Sequence, residues 1–145
     1  TDAPEKKARV PNNLIEAEKR LLALIATGKR IYKSVKDRIQ PDEFSTAVYR
    51  RIAQKLYELY ESGQPIEESM ILNEFSGNRA EEDEASAVFY NIEQYDADDK
   101  TANDLVYTIK LEKLNMEIAG ETDALRLNEL FKAQKVLKEK HTWEE

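Results

Sequence analysis

The sequence predicts an all-α fold, and three observations predict it. Apolar residues recur three and four positions apart along most of the chain, whereas no stretch alternates apolar and polar residues and no repeat runs at a solenoid period. Charged residues make up 35% of the 145 positions against only 4 Gly and 4 Pro, a balance that suits long helices joined by few turns. At 41%, the apolar share supports one domain with a real core.

Residues 1–10, "TDAPEKKARV", are polar without a period and read as a linker joining this module to a longer protein. "PNNLIEAEKRLLALIATG" is the first helix. Asn12 or Asn13 can cap it, Glu16 complements its dipole, Leu14, Ala17, Leu21, Leu24 and Ile25 give it an apolar face, and Gly28 ends it. "KRIYKSVKDRI" is a shorter helix with Ile31, Val35 and Ile39 inward. Pro41 breaks the chain, and Ser45 is the expected cap of the next helix. That helix, to about Ser62, holds Val48, Tyr49, Ile52, Leu56, Leu59 and Tyr60 in register and is expected to be the central core helix.

Gly63 and Pro65 form a turn before the short helix "IEESMILNEF", with Met70, Ile71 and Phe75 buried. In "RAEEDEASAVFYNIEQY", Ala85, Val88, Phe89 and Ile92 share a face, and Glu81 to Glu84 suit a helix start. The following helix, from about Asp99 to Ile118, carries two stripes. Tyr107, Leu111, Leu114 and Ile118 form one, and Leu105, Ile109 and Met116 lie near the other, so this helix should pack against two things. Gly120 then precedes a terminal helix. Leu127, Leu130, Phe131 and Leu137 make its stripe, Lys132, Lys135, Lys138 and Lys140 surround it, and Trp143 adds an aromatic of the kind favoured at binding hot spots.

The charge narrows the function. The net charge of −7 is uneven: residues 1–40 carry +5, residues 41–110 carry −10 and residues 111–145 carry −2. The acidic middle would repel a phosphate backbone, so direct nucleic-acid binding is not expected. No cysteine is present for a disulfide, a thiolate nucleophile or a cysteine-ligated zinc. No apolar run of 18 residues and no signal peptide occurs, so the expectation is a cytoplasmic protein with no membrane partner.

Chemistry-bearing patterns are sparse. "YDADDKTAND" gathers Asp96, Asp98, Asp99 and Asp104, but a calcium loop counted from Asp96 would put Thr101 where glycine belongs and Tyr107 where glutamate belongs. Helix capping is the better reading. No phosphate-binding glycine loop and no nucleophile elbow occurs. The single His141 reads as a surface residue near a helix end. No catalytic residue, metal ligand or cofactor is expected. Glu18 and Arg50 sit beside core-facing positions of the first and third helices and could pair.

"NLIEAEKRLLALI", "FSTAVYRRIAQKLYELYESGQPIEESMILNEF", a long helix and a charged terminal hairpin resemble the C-terminal helicase-binding domain of bacterial DnaG-type primases over about residues 11–145. The matching positions are Ala17-Glu18 with Leu21-Leu22, then Phe44, Arg50, Ile52 and Tyr60 with Gly63, and the stretch "GETDALRLNELFKAQKVLKEK". The first half is similar, equally, to the N-terminal collar domain of DnaB-type replicative helicases, which shares this bundle. A basic linker before the bundle, a chain ending in a charged helix and the segment from Asp98 to Ile118 favour the primase.

The primase resemblance implies a six-helix bundle over residues 11–110, followed over 111–145 by the long helix's end and a helicase-docking hairpin. It implies a non-catalytic domain, monomeric in isolation, that recruits a primase (a nucleotidyltransferase acting elsewhere in its chain) to the hexameric replicative helicase within the primosome during DNA replication. The docking face it implies is Leu127, Leu130, Phe131, Gln134, Leu137 and Lys138, with bundle contacts at Glu18, Tyr49 and Arg50. The family often has His where this chain has Tyr49, and Gly120 follows the long helix sooner than a full two-armed hairpin would have it. The collar alternative implies self-assembly and primase binding instead.

Overall fold

All regular structure in the computed structural model is helical across the residues it describes, 10–90 and 97–144, with side chains as far as His141. Among the described residues seven α-helices run in the order α1 Asn12–Thr27, α2 Lys29–Val35, α3 Ala47–Glu61, α4 Glu68–Leu72, α5 Arg79–Phe89, α6 Asp99–Gly120 and α7 Ala124–Glu144. Short 3₁₀ turns at Pro41–Glu43 and Asn73–Phe75 lead into α3 and out of α4. No helix among the described residues is long and apolar enough to cross a membrane.

The core is built around α1. The five consecutive residues Leu21, Leu22, Ala23, Leu24 and Ile25 are all buried, so this helix is apolar on every side along that turn and packs against α2, α3, α5 and α6. The expected central helix, α3, is instead a side wall. Its buried residues Val48, Tyr49, Ile52, Ala53, Leu56, Leu59 and Tyr60 leave a polar face outside. A strongly one-sided helix belongs at the edge of a core, and an all-round apolar one at its centre.

Two helix starts differ from the sequence reading. Pro11 occupies the cap position of α1, and its carbonyl receives the N–H groups of Leu14 and Ile15 at 3.1 and 3.2 Å, so Asn12 and Asn13 lie inside the helix. Thr46, not Ser45, caps α3: its Oγ1 accepts the Tyr49 N–H at 2.9 Å. Asn78 and Asp98 cap α5 and α6 in the same way, through the N–H groups of Glu81 and Thr101. That bond is the main reason the Asp98 carboxyl is held below its ordinary range.

The remaining core is stitched by tyrosines. Tyr32 lies edge-on to Tyr57 at 5.0 Å and stacks on Tyr60 at 4.8 Å. Its hydroxyl donates to Glu61, and burial with that carboxylate pushes Tyr32 up to about 12. The hydroxyls of Tyr57 and Tyr60 donate to the carbonyls of Ile39 and Ile25, at 2.7 and 2.5 Å. Ile71 and Phe75 are buried under α3, with the Arg51 guanidinium 4.5 Å from the Phe75 ring centre, while Met70 is only half-buried. Ala85, Val88 and Phe89 face inward from α5, and Ile92, expected beside them, lies outside the described residues.

Helix α6 packs on two sides. Ala102, Val106 and Ile109 are buried against the bundle, with Leu105 and Met116 also against the core. Its opposite side meets α7, which touches the rest of the molecule chiefly through α6.

Candidate interaction surface

Glu18 lies on α1 and is fully buried, the one charged residue in the core among the described residues. It accepts two hydrogen bonds from Ser45, from the backbone N–H at 2.9 Å and from the hydroxyl at 2.6 Å. Ser45 is thereby held to α1, and its neighbour Thr46 makes the cap of α3. Arg50 donates to the carbonyls of Phe44 and Ser45 at 3.0 and 3.3 Å, so Glu18 and Arg50 hold the same loop from two sides. Burial raises the Glu18 pKa, opposed by the two Ser45 bonds and by the charges of Lys113 and Arg50. Tyr49 is buried next to them. The geometry gives this trio a structural task, fixing the loop into α3, and keeps Glu18 and Tyr49 away from the surface.

Helices α6 and α7 form a hairpin, with residues 121–123 as its turn. No separate helix stands between α6 and that turn: α6 runs on to Gly120 and itself faces α7 from Asp104 to Glu117. In the turn, the Asp123 carbonyl and carboxylate accept the N–H groups of Leu127 and Leu125 at 2.9 and 3.4 Å. The arms run antiparallel. Arg126 is 3.8 Å from Glu117, the Gln134 amide donates to Asn115 at 2.7 Å, and the His141 ring stacks on Tyr107 with centroids 3.9 Å apart. His141 Nε2 is 3.5 Å from Asp104, so this histidine is a hairpin contact and not the surface residue that its position near the chain end suggested.

Leu127, Leu130, Gln134, Leu137 and His141 follow alternating spacings of three and four, the seam pattern of paired helices. Leu130 is only 3% exposed, and Leu127, Gln134 and Leu137 are half-buried along the same line. Of the six residues expected on the docking face, four therefore lie along the line facing α6, and Phe131 and Lys138 are exposed beside it. Phe131 is 51% exposed. Two apolar residues missed by the sequence reading are more open still, Leu125 at 77% and Val136 at 56%. They fall off the stripe, and nothing in their spacing marks them. Trp143 lies outside the residues with described side chains.

On a helical wheel, Phe131 and Lys138 fall on one edge of α7, Ala133, Val136 and Lys140 on the opposite edge, and Leu125 on the face away from α6. The second edge borders a groove of about 550 Å³ between α7, α6 and the Pro41–Glu43 turn. Leu114, Ala133, Val136 and Leu137 form its apolar lining, with Lys110, Lys113, Lys132 and Lys140 around it and Glu43 and Glu117 among them. Lys110 pairs with Glu43 at 3.1 Å.

The acidic turn before α6 serves the fold. Asp98 caps the helix, Asp99 lies 3.4 Å from Arg30, and Asp104 pairs with Lys100 at 2.9 Å. Asp96 lies outside the described residues, among which no group of three or more His, Asp or Glu gathers as a metal-holding cluster.

A family model described as the DnaB-like helicase N-terminal domain matches residues 10–111, more than two thirds of the chain. No curated protein and no solved structure matches. The match overturns the assignment to the primase C-terminal domain, and with it the primase parent, the primosome role and the nucleotidyltransferase keyword. The two resemblances shared the bundle, and the features that tipped the choice, the basic segment before it and the charged terminal helix, lay mostly outside it. The helicase expected as the partner is thus the family to which the fold itself is matched. Domains of that family are non-catalytic, which fits the absence of a catalytic pattern in the sequence.

Proposed function

We infer the function from one premise: this chain belongs to the DnaB-like helicase N-terminal domain family. It is a collar module of a cytoplasmic replicative helicase, associating with copies of itself and offering a surface to primase. The observation that carries the reading is the hairpin. Seam positions Leu127, Leu130, Gln134 and Leu137 are spent within the chain, yet α7 still presents Phe131 to solvent on an edge that faces away from the bundle's core. An aromatic exposed on a rigid helical arm is the kind of residue that anchors a helix-on-helix contact.

Two such arms laid antiparallel about Phe131 make a two-fold symmetric contact. Its driving force in this reading is apolar, because Arg126 and Glu129 cancel in the N-terminal part of α7 and pair with each other, and the C-terminal part, with Lys132, Lys135, Lys138 and Lys140 against Glu139 and Glu144, is net basic. Residues 10–110 form the body in this reading, and 111–145 the assembly arm.

Light scattering over a concentration series tests it. The chain should move from monomer toward dimer or higher as concentration rises. Phe131→Glu should hold it monomeric, with an unchanged circular dichroism spectrum and the melting temperature of the dilute, monomeric wild-type chain. Titration with a purified primase tests the second half of the role by co-elution. A chain that stays monomeric at every accessible concentration would refute the assembly reading.

A further inference from the structure

The groove on the other edge of α7 has a chemistry of its own. We propose that it docks an acidic amphipathic helix of a partner protein, with apolar side chains seated on Leu114, Ala133, Val136 and Leu137 and carboxylates held by Lys113, Lys132 and Lys140. The reading goes beyond self-association, since it uses the opposite edge of the arm and a partner that is not a copy.

Its dimensions select a helix. The α6 residues that line it run from Lys110 to Glu117, about 10 Å at the rise of an α-helix, so it seats apolar side chains from about two turns of a partner. The flanking helices have their backbone groups paired within themselves. An extended peptide would find no strand edge there to satisfy its own N–H and C=O groups, whereas a helix brings its backbone already satisfied.

The charge pattern selects an acidic one. Lys132 and Lys140 make no ion pair among the described residues, and Lys113 acts on the buried Glu18 only at a distance. Taken together the lining holds four lysines and two glutamates, on a protein whose overall charge is −7. Three occupants from the chain itself fit badly. The segment before the bundle, with Lys6, Lys7 and Arg9 against Asp2 and Glu5, is net positive and carries no apolar period to seat in the groove. The α7 of a second copy would lay Lys132, Lys135 and Lys140 against the same lysines. The acidic helix α5 has the wanted charge in Glu81, Glu82, Asp83 and Glu84, but its apolar face of Ala85, Val88 and Phe89 is already buried. What remains is an acidic helix from elsewhere, steered by charge and anchored by its apolar face.

The test uses the full chain and a synthetic probe. A fluorescein-labelled helical peptide of about 16 residues, roughly 24 Å long, carries leucines at three- and four-residue spacing flanked by glutamates. Controls replace the glutamates by lysines, or keep the composition and scramble the leucine spacing. Fluorescence anisotropy should give binding of the acidic helix at least ~10-fold tighter than either control, weakening as salt is raised. Amide chemical shifts should move at Lys113, Leu114, Lys132, Ala133, Val136 and Lys140. Val136→Asp, at a position too exposed to be needed for folding, should weaken binding ~10-fold or more, and Lys132→Glu with Lys140→Glu should invert the preference toward the basic peptide. Equal affinity for acidic and basic peptides, shifts clustered elsewhere, or no binding would overturn the proposal. So would loss of the chain's own oligomers in Val136→Asp, because a second copy would then be the occupant. A monomeric wild-type chain that still binds the acidic peptide would refute self-assembly and leave the groove standing.

Discussion

Replacing Glu18 separates two costs that a buried carboxylate combines. Its side chain is wholly buried on the central helix, and both oxygens accept hydrogen bonds from Ser45. Alanine removes both bonds, strands the Ser45 N–H and leaves a cavity in a core that cannot fully close over it. Together these cost about 2–4 kcal/mol. For a chain of this length that is a melting temperature lower by roughly 5–15 °C. Glutamine keeps the shape. Its carbonyl accepts the Ser45 N–H, its amide donates to a rotated Ser45 hydroxyl, and the charge is gone. Glu18→Gln should therefore stay within about 1 kcal/mol of wild type at pH 7. The pH dependence has a definite sign. Burial raises the Glu18 pKa in the folded state, so the folded chain binds more protons than the unfolded one across the window above the ordinary carboxylate value, and stability from this group grows as pH falls through that window. Thermal melts at pH 7 and near pH 5 should show wild type gaining on Glu18→Gln as the buffer is acidified. If Gln and Ala destabilise alike, and the two pH slopes run parallel to wild type, Glu18 is not the desolvated acceptor described here.

Leu130→Ala should open the hairpin seam at a cost of about 2–4 kcal/mol, seen as faster amide hydrogen exchange confined to α7 and the end of α6, with α1 and α3 unchanged. Tyr60→Phe leaves the Ile25 carbonyl without its donor and should destabilise by about 1–2 kcal/mol in chemical denaturation with an unchanged m-value. Asp98→Ala should lower the melting temperature at pH 7. Its cap bond to Thr101 depresses the Asp98 pKa in the folded state, so this stabilisation is present above the unfolded carboxylate value and fades as pH falls. The deficit of the variant should shrink on acidification, opposite in sign to the Glu18 effect.

Much of the fold was legible because periodicity records burial. The spacing of Leu14, Ala17, Leu21 and Ile25, the two stripes of α6 and the break at Pro41 all follow from helix geometry alone. What spacing could not rank was depth. "LLALIA" has no polar gap and so a weaker one-sided pattern than α3, yet that lack of sidedness is what makes α1 the centre. Both Ser45 and Thr46 can cap a helix in sequence. In the fold Glu18, twenty-seven residues away, anchors Ser45 through its N–H and hydroxyl, and Thr46 makes the cap.

The interaction surface was harder to read for a reason specific to terminal helices. A helix that packs on one neighbour and meets a partner on another side must place both sets of apolar residues in one sequence, and the denser set masks the sparser one. In α7 the seam of Leu127, Leu130, Gln134 and Leu137 dominates the pattern, so the stripe seen first is the stripe already used. Phe131 was seen because it adjoins the seam. Val136 sits on the far edge among lysines and looks like noise until α6 supplies Leu114 and the Pro41–Glu43 turn supplies the wall. Helices α6 and α7 are neighbours in sequence, but the Pro41–Glu43 turn lies far from both, so only the fold closes the groove. The lysines that read in sequence as a solvated border of one stripe become, in three dimensions, the rim of a second binding edge, and the sign of that rim is what separates a foreign acidic helix from another copy of the same arm.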